Sequence, residues 1–137
     1  MSRRIAREKA LQALFQIDLA KSEIIDAVEY VIEDSELSIE AKRFARELVY
    51  GTVEHQEECD RYISKYAKEW QLDRLVNVDR NILRLAIFEI MYRDEIPFKV
   101  SINEAIELAK IFSGDQSGKF VNGLLDFFGK DMGIDKE

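Results

Sequence analysis

Residues 79–92 read DRNILRLAIFEIMY, and this stretch decides the fold of the chain. Its apolar residues recur at helical spacing and also occupy adjacent positions. A helix that is apolar on most sides is typical of the buried centre of a bundle. We therefore expect a central helix that ends near Tyr92, with Asp79 as its candidate N-cap.

The segments before this central helix also predict helices. Ser38 is a candidate N-cap for the third of them. Gly51 lies inside its pattern, and a glycine within a helix costs about 1 kcal/mol relative to alanine, which suggests a kink or a close helix crossing there. The predicted helices cover about residues 3–20, 22–34 and, interrupted near Gly51, 38–70, followed by a break over residues 71–77.

The segments after the central helix continue the helical pattern. Pro97 closes a connector, because the residue before a proline avoids helical geometry. Ser101-Ile-Asn-Glu104 has the form of a capping box for a helix that ends near Phe112. After a glycine-bearing loop over residues 113–118, a last helix is expected from about Ser117 to Gly129, followed by a polar tail.

The whole chain therefore predicts an all-α fold. Its 137 residues include one proline and six glycines. This length suits one domain, and we expect residues 1–137 to form a compact bundle of about seven helices.

Composition also predicts where the chain resides. No apolar stretch approaches the roughly 20 residues that span a bilayer, so we expect no membrane segment. The first residues lack the apolar core of a secretory signal. The only cysteine is Cys59, which is typical of the reducing cytoplasm.

The charge distribution favours a local nucleic-acid site over a generally basic surface. The net charge is −7, whereas residues 1–9 alone carry +3. A basic patch on an acidic body can bind RNA, but it needs a second source of affinity.

The residues offer little support for catalysis or metal binding. His55 and Cys59 stand four positions apart on one predicted helix face, but a structural zinc needs four ligands and no other cysteine or histidine exists. We expect both to be structural, with His55 half-exposed and Cys59 packed. Gly114-Asp-Gln-Ser-Gly-Lys119 differs from a phosphate-binding P-loop in spacing and in the residue that follows it. We expect no enzyme activity, no cofactor and no metal.

The arginines at the start of the first helix have two open interpretations. Arg7 shares a helix face with Leu11 and Leu14. Either the helix start projects beyond the body and leaves Arg3, Arg4 and Arg7 available to a ligand, or Arg7 extends over the edge of the core.

The loop before the last helix is a second candidate site. A glycine loop that opens a helix presents free N–H groups to an anion, and Lys119 adds a positive charge. An ordinary loop is the alternative. Phe120 could stack on an unpaired base, although a core position is the usual role of such a residue.

Four stretches together resemble the NusB family in order and spacing. They are RRIAREKALQALF (3–15), DRNILRLA (79–86), IPFKVSINEAIELAK (96–110) and KFVNGLL (119–125). The resemblance implies two packed helical halves and no catalytic activity or cofactor. It also implies binding to single-stranded boxA RNA of ribosomal RNA leader transcripts together with the ribosomal protein NusE, within the complex that helps RNA polymerase read through terminators.

The resemblance also implies roles for individual residues. The expected protein-partner contacts are Phe15 and Asp79. The basic start is shorter than in some members, and Gln116 stands where others place an acid. The expected RNA contacts are Arg3, Arg4, Arg7, Gln116, Lys119 and Phe120.

Two other functions remain open at this point. The first is a protein-interaction or dimerisation module, and a homodimer could hide the arginine start. The second is an enzyme-associated domain, because the same fold occurs fused to ribosomal RNA cytosine methyltransferases. The residues predict no cofactor-binding α/β domain, so we expect that the chain does not methylate RNA by itself.

Overall fold

The computed structural model describes residues 2–67 and 75–134. Within these ranges the protein forms seven α-helices and no strand, which confirms the predicted all-α fold. The chain divides into two compact units, residues 1–54 and residues 55–137. Among the described residues, none of the helices combines the length and the hydrophobicity that a membrane span requires.

The first unit contains three helices. Helix α2 (Ile24–Val28) continues into a π-helical turn over Glu29–Glu33. The hydroxyl of Ser38 accepts a 3.1 Å hydrogen bond from the N–H of Ala41, so its predicted capping role is confirmed. The chain does not break at Gly51, which is buried inside its helix. The helices are α1 (Ser2–Leu19), α2 (Ile24–Val28) and α3 (Ile39–Glu54).

The second unit is built around the stretch that predicted the fold. Every residue from Asn81 to Ile90 is buried, which confirms the central position of this helix. The helix that contains Gly51 is followed by a break at His55, and the break predicted after Trp70 lies largely outside the described residues. The helices of this unit are α4 (Gln56–Tyr66), α5 (Asn77–Tyr92), α6 (Phe98–Phe112) and α7 (Asp115–Asp131).

Two predicted helix starts are wrong. Helix α5 begins at Asn77, which places Asp79 in its first turn instead of at its cap. Helix α6 begins directly after Pro97, so Ser101 lies inside the helix and does not open a capping box. The reason is tertiary: the buried hydroxyl of Ser101 donates a 2.7 Å hydrogen bond to Oε2 of Glu89, a buried carboxylate on α5.

The predicted boundaries of the last helix are also too narrow. Helix α7 begins at Asp115, with Gly114 at the capping position and a φ of +119° that favours glycine. It passes through Gly129, which is buried, and ends at Asp131. Gly133, with a φ of +70°, follows the helix end instead. The last residues of the predicted tail, 135–137, lie outside the described ranges.

Candidate nucleic-acid interface

The start of α1 packs against an aromatic ring of the same unit. Arg3 and Arg4 are exposed on the first turn of the helix. The guanidinium carbon of Arg3 lies 4.1 Å from the ring centroid of Phe44 on α3, and that of Arg7 lies 5.3 Å from the same centroid. Both distances are within the range of a cation–π interaction, so Phe44 holds the two cations in place.

The position of Arg7 decides between the two interpretations of the helix start. Its side chain is only 4% exposed, so the expectation that it projects for a ligand is wrong, and it extends over the edge of the core instead. Arg3 keeps its exposure because it stands one turn closer to the helix start. Phe15, the predicted partner contact on the same helix, is half-buried.

The residues predicted around the start of α7 share one face of that helix. Gln116 and Lys119 are exposed, and Phe120 is half-buried. Because residues three and four positions apart are neighbours on a helix surface, an amide, an ammonium group and an aromatic ring lie side by side. The ring of Phe120 is therefore partly accessible. Its burial lies between that of a core residue and that of a fully exposed residue available for base stacking.

The two glycines of this segment have different positions at the start of α7. Gly118 lies inside α7, and its N–H bonds to the carbonyl of Gly114 at 3.2 Å. A Cβ on Gly118 would lie 3.1 Å from Cγ of Lys110, so this glycine permits α6 and α7 to pack closely. The first turn of α7 also contains Asp115, whose own negative charge occupies the favourable end of the helix dipole.

Asp79 lies close to this region but is mostly covered. It is 7% exposed, and its Oδ1 is buried without a hydrogen-bond partner. Burial raises the pKa of its carboxyl, and a hydrogen bond with Ser117 partly opposes that shift. The hydroxyl oxygens of Ser117 and Ser113 are 2.8 Å apart. The predicted partner residue is thus tied to the start of α7, beside Gln116.

The histidine and the cysteine have the structural environments that were predicted. The ring of His55 lies 4.1 Å from that of Tyr92, measured between centroids, and is half-exposed. Cys59 is buried, and its thiol donates a 3.5 Å hydrogen bond to the carbonyl of Arg84. Burial and the neighbouring acids raise the pKa of this thiol to about 12, which opposes a nucleophilic role. The described ranges contain no cluster of residues suited to a metal ion.

Comparison with known proteins identifies the fold and the family. The sequence profile of the NusB family matches residues 4–130. The transcription antitermination protein NusB of Desulforamulus reducens is 56% identical over 125 residues, which cover 91% of this chain and 87% of that protein. The chain belongs to the NusB family. The predicted resemblance is confirmed, and membership in a family of transcription antitermination factors confirms the prediction that the chain is not an enzyme.

Solved NusB structures match the helical arrangement. NusB of T. maritima is similar with a TM-score of 0.89 and 39% identity, covering 96% of this chain and 92% of that one. A chain in the crystal structure of the antitermination factors NusB and NusE with double-stranded RNA matches with a TM-score of 0.87 and 30% identity, covering 95% of this chain and 97% of that one. That NusB protein therefore binds NusE in the presence of RNA.

The candidate residues fall into two groups, one in each unit. Arg3, Arg4, Arg7 and Phe15 lie in the first unit, whereas Asp79 and the residues of α7 lie in the second. Sequence reasoning missed Phe44, which holds Arg3 and Arg7, because an inward-facing aromatic on a helix is typical of any core. It also missed Ser117, because a serine near a helix start gives no signal of a tertiary hydrogen bond.

Proposed function

We propose that this NusB family chain binds the boxA element of ribosomal RNA leader transcripts together with NusE and thereby assists RNA polymerase in reading through terminators. The observation that carries the proposal is the pair of exposed arginines at the start of α1, with Arg3 held over Phe44 on an otherwise acidic chain. Immobilised cations lose less conformational freedom when they bind a phosphate. The known complex of NusB, NusE and RNA supports the same function.

Each residue has a role in this proposal. Arg3 and Arg4 bind phosphates, and Arg7 positions Arg3 through the shared ring of Phe44. Lys119 binds a further phosphate, while Gln116 and Phe120 bind a base by hydrogen bonding and stacking, as is usual for single-stranded RNA. Phe15 and Asp79 lie at the NusE contact, Asp79 with only a small exposed fraction.

The short basic start explains the need for a partner. Few neutralised phosphates give modest affinity and a shallow salt dependence. NusE adds contacts, so the complex binds RNA better than the chain alone. The antitermination complex with RNA polymerase and a cytoplasmic location belong to this proposal. A homodimer that covers the arginine start would inhibit RNA binding, and its RNA affinity would then depend on protein concentration.

The first test is the fluorescence anisotropy of labelled single-stranded boxA RNA, a scrambled strand and a boxA duplex, each with and without NusE. We expect selective binding of the single strand that tightens with NusE. The double variant Arg3→Ala/Arg4→Ala should weaken binding. It should also make the plot of the logarithm of the association constant against log salt less steep by about 1.4, or about 0.7 for each lost phosphate contact.

The matched control is Arg61→Ala/Lys99→Ala. It removes the same charge from exposed positions of the second unit that lie outside the site. We expect it to leave the preference for boxA over the scrambled strand intact. Equal affinity of the unmodified protein for both strands, with and without NusE, would refute the RNA function and leave a protein-interaction module.

A further inference from the structure

Phe127, on the second half of α7, is an exposed aromatic residue without a role in packing. Its side chain is 69% exposed, although a phenylalanine on a helix normally faces the core. The neighbouring Phe128 shows the usual arrangement, since it is fully buried. The sequence pattern therefore supplies a core aromatic and, beside it, a second ring that the fold leaves in solvent.

Phe127 shares a helix face with the candidate RNA residues. It follows Phe120 by seven positions, which is close to two full turns and about 10.5 Å along the axis. Gln116 precedes Phe120 by four positions on the same face. One line along α7 thus contains an amide and two accessible rings.

Gly123 lies between the two rings and leaves the helix backbone accessible. It is exposed, and a Cβ built on it would meet no atom within 4 Å. No packing constraint therefore requires a glycine, although glycine in a helix costs about 1 kcal/mol relative to alanine. A ligand that approaches the helix closely at this position would require one.

The charges around this face include one cation that favours an anionic ligand. Lys119 and Lys130 both border the line of rings and are exposed, but Lys130 is paired with Asp126, so the favourable charge is that of Lys119. The acids near the helix end are already engaged: Asp126 lies 3.3 Å from Nζ of Lys130, and Asp131 accepts hydrogen bonds from Lys65 and Tyr66. The hydrogen bond from Tyr66, and after it the hydrogen bond and positive charge of Lys65, hold the pKa of the Asp131 carboxyl below its usual value.

We propose that the RNA strand bound at Phe120 continues along α7, so that Phe127 stacks on a second base and the sugar-phosphate chain passes over Gly123. This inference rests on the proposed function. The two residues lie about 10.5 Å apart along the helix axis, which corresponds to about three nucleotides at the roughly 3.4 Å axial rise per nucleotide of a strand. A base that stacks on a protein ring is splayed out of its own strand, as in the usual recognition of single-stranded RNA.

The first test is Phe127→Ala with single-stranded boxA RNA that has six-nucleotide flanks, in the presence of NusE. Loss of one stacked base should weaken binding by about 5- to 150-fold. Tyr30→Ala is the matched control, because Tyr30 is 70% exposed but lies on α2's π-helical continuation beside Glu29 and near Asp26. We expect it to leave RNA affinity unchanged.

The position of the second base can be found with 2-aminopurine placed at successive sites of the same RNA. Stacking on Phe127 should quench its fluorescence at one site, and Phe127→Ala should restore that emission while the quenching at the Phe120 site persists. Quenching that is identical in the two proteins at every site would overturn the inference.

Gly123→Ala separates binding from folding. Alanine is the better helix former and has open space here, so the thermal midpoint should rise while RNA affinity falls. Unchanged affinity in Gly123→Ala and Phe127→Ala, with binding still sensitive to Arg3→Ala/Arg4→Ala, would overturn this inference and leave the proposed function standing. Loss of self-association in Phe127→Ala without loss of RNA affinity would identify a dimer contact and also overturn it.

Discussion

The start of α1 and the outer face of α7 use cations and aromatic rings in opposite ways. At α1 the ring of Phe44 is buried, and it is covered by the protein's own Arg3 and Arg7. At α7 the ring of Phe127 is exposed, and Lys130 follows it by three positions on the same helix. The first arrangement orders charged groups before a ligand arrives, whereas the second leaves ring faces available for stacking. The same residue types thus serve either positioning or contact, depending on burial.

The largest expected effect separates the two rings by their contribution to stability. Phe44→Ala should lower the free energy of unfolding by about 3–5 kcal/mol, because it removes a buried aromatic side chain and leaves a cavity. Phe127→Ala should change it by no more than about 0.5 kcal/mol, as is usual for exposed positions. Urea unfolding followed by circular dichroism measures both. Similar losses in the two variants would mean that the comparison between the regions is wrong.

A smaller effect should appear in the pH dependence of folding stability. It concerns the second unit, because the buried acids among the described residues lie there. Burial raises the folded-state pKa of Asp79 above its unfolded value near 3.8. At pH values between the unfolded and the folded pKa of this carboxyl, the folded protein binds more protons than the unfolded chain. The contribution of Asp79 to stability therefore falls as pH rises through this window. The stability of Asp79→Asn relative to the unmodified protein should increase with pH over the same window.

Ser117→Ala sharpens this measurement, because the hydrogen bond from Ser117 lowers the pKa of Asp79. Its removal should move the window to higher pH. Denaturant unfolding at a series of pH values gives both differences. A stability difference between Asp79→Asn and the unmodified protein that does not vary with pH would show that the carboxyl does not titrate differently on folding.

The smallest effect concerns the stacked cation at α1. Arg3→Gln should lower the free energy of unfolding by about 0.5–1 kcal/mol, since an exposed cation–π contact is worth that much. A double-mutant cycle with Phe44→Leu isolates the contact, and the loss from Arg3→Gln should vanish in the leucine background. A loss of equal size in both backgrounds would mean that Arg3 is held by something other than the ring.

Sequence reasoning succeeded where a pattern depends on local periodicity. The apolar run from Ile82 to Met91 predicted a central helix, and Ser38 predicted a cap, because burial and capping follow from residues a few positions apart. It failed at Ser101 and Gly118, which have the appearance of local signals. Ser101 donates a hydrogen bond to a buried carboxylate on α5, and Gly118 leaves room for a lysine side chain of α6.

The sequence by itself determined the all-α class, the family and the places where function was to be sought, because periodicity, glycine and proline positions and motif order are properties of the chain. Only the tertiary structure decided that Arg7 is covered, that Phe44 holds the arginines and that Phe127 is exposed. A helical pattern gives the direction of a side chain around its own axis. Which neighbour covers that direction depends on residues distant in sequence, and therefore on how the helices pack.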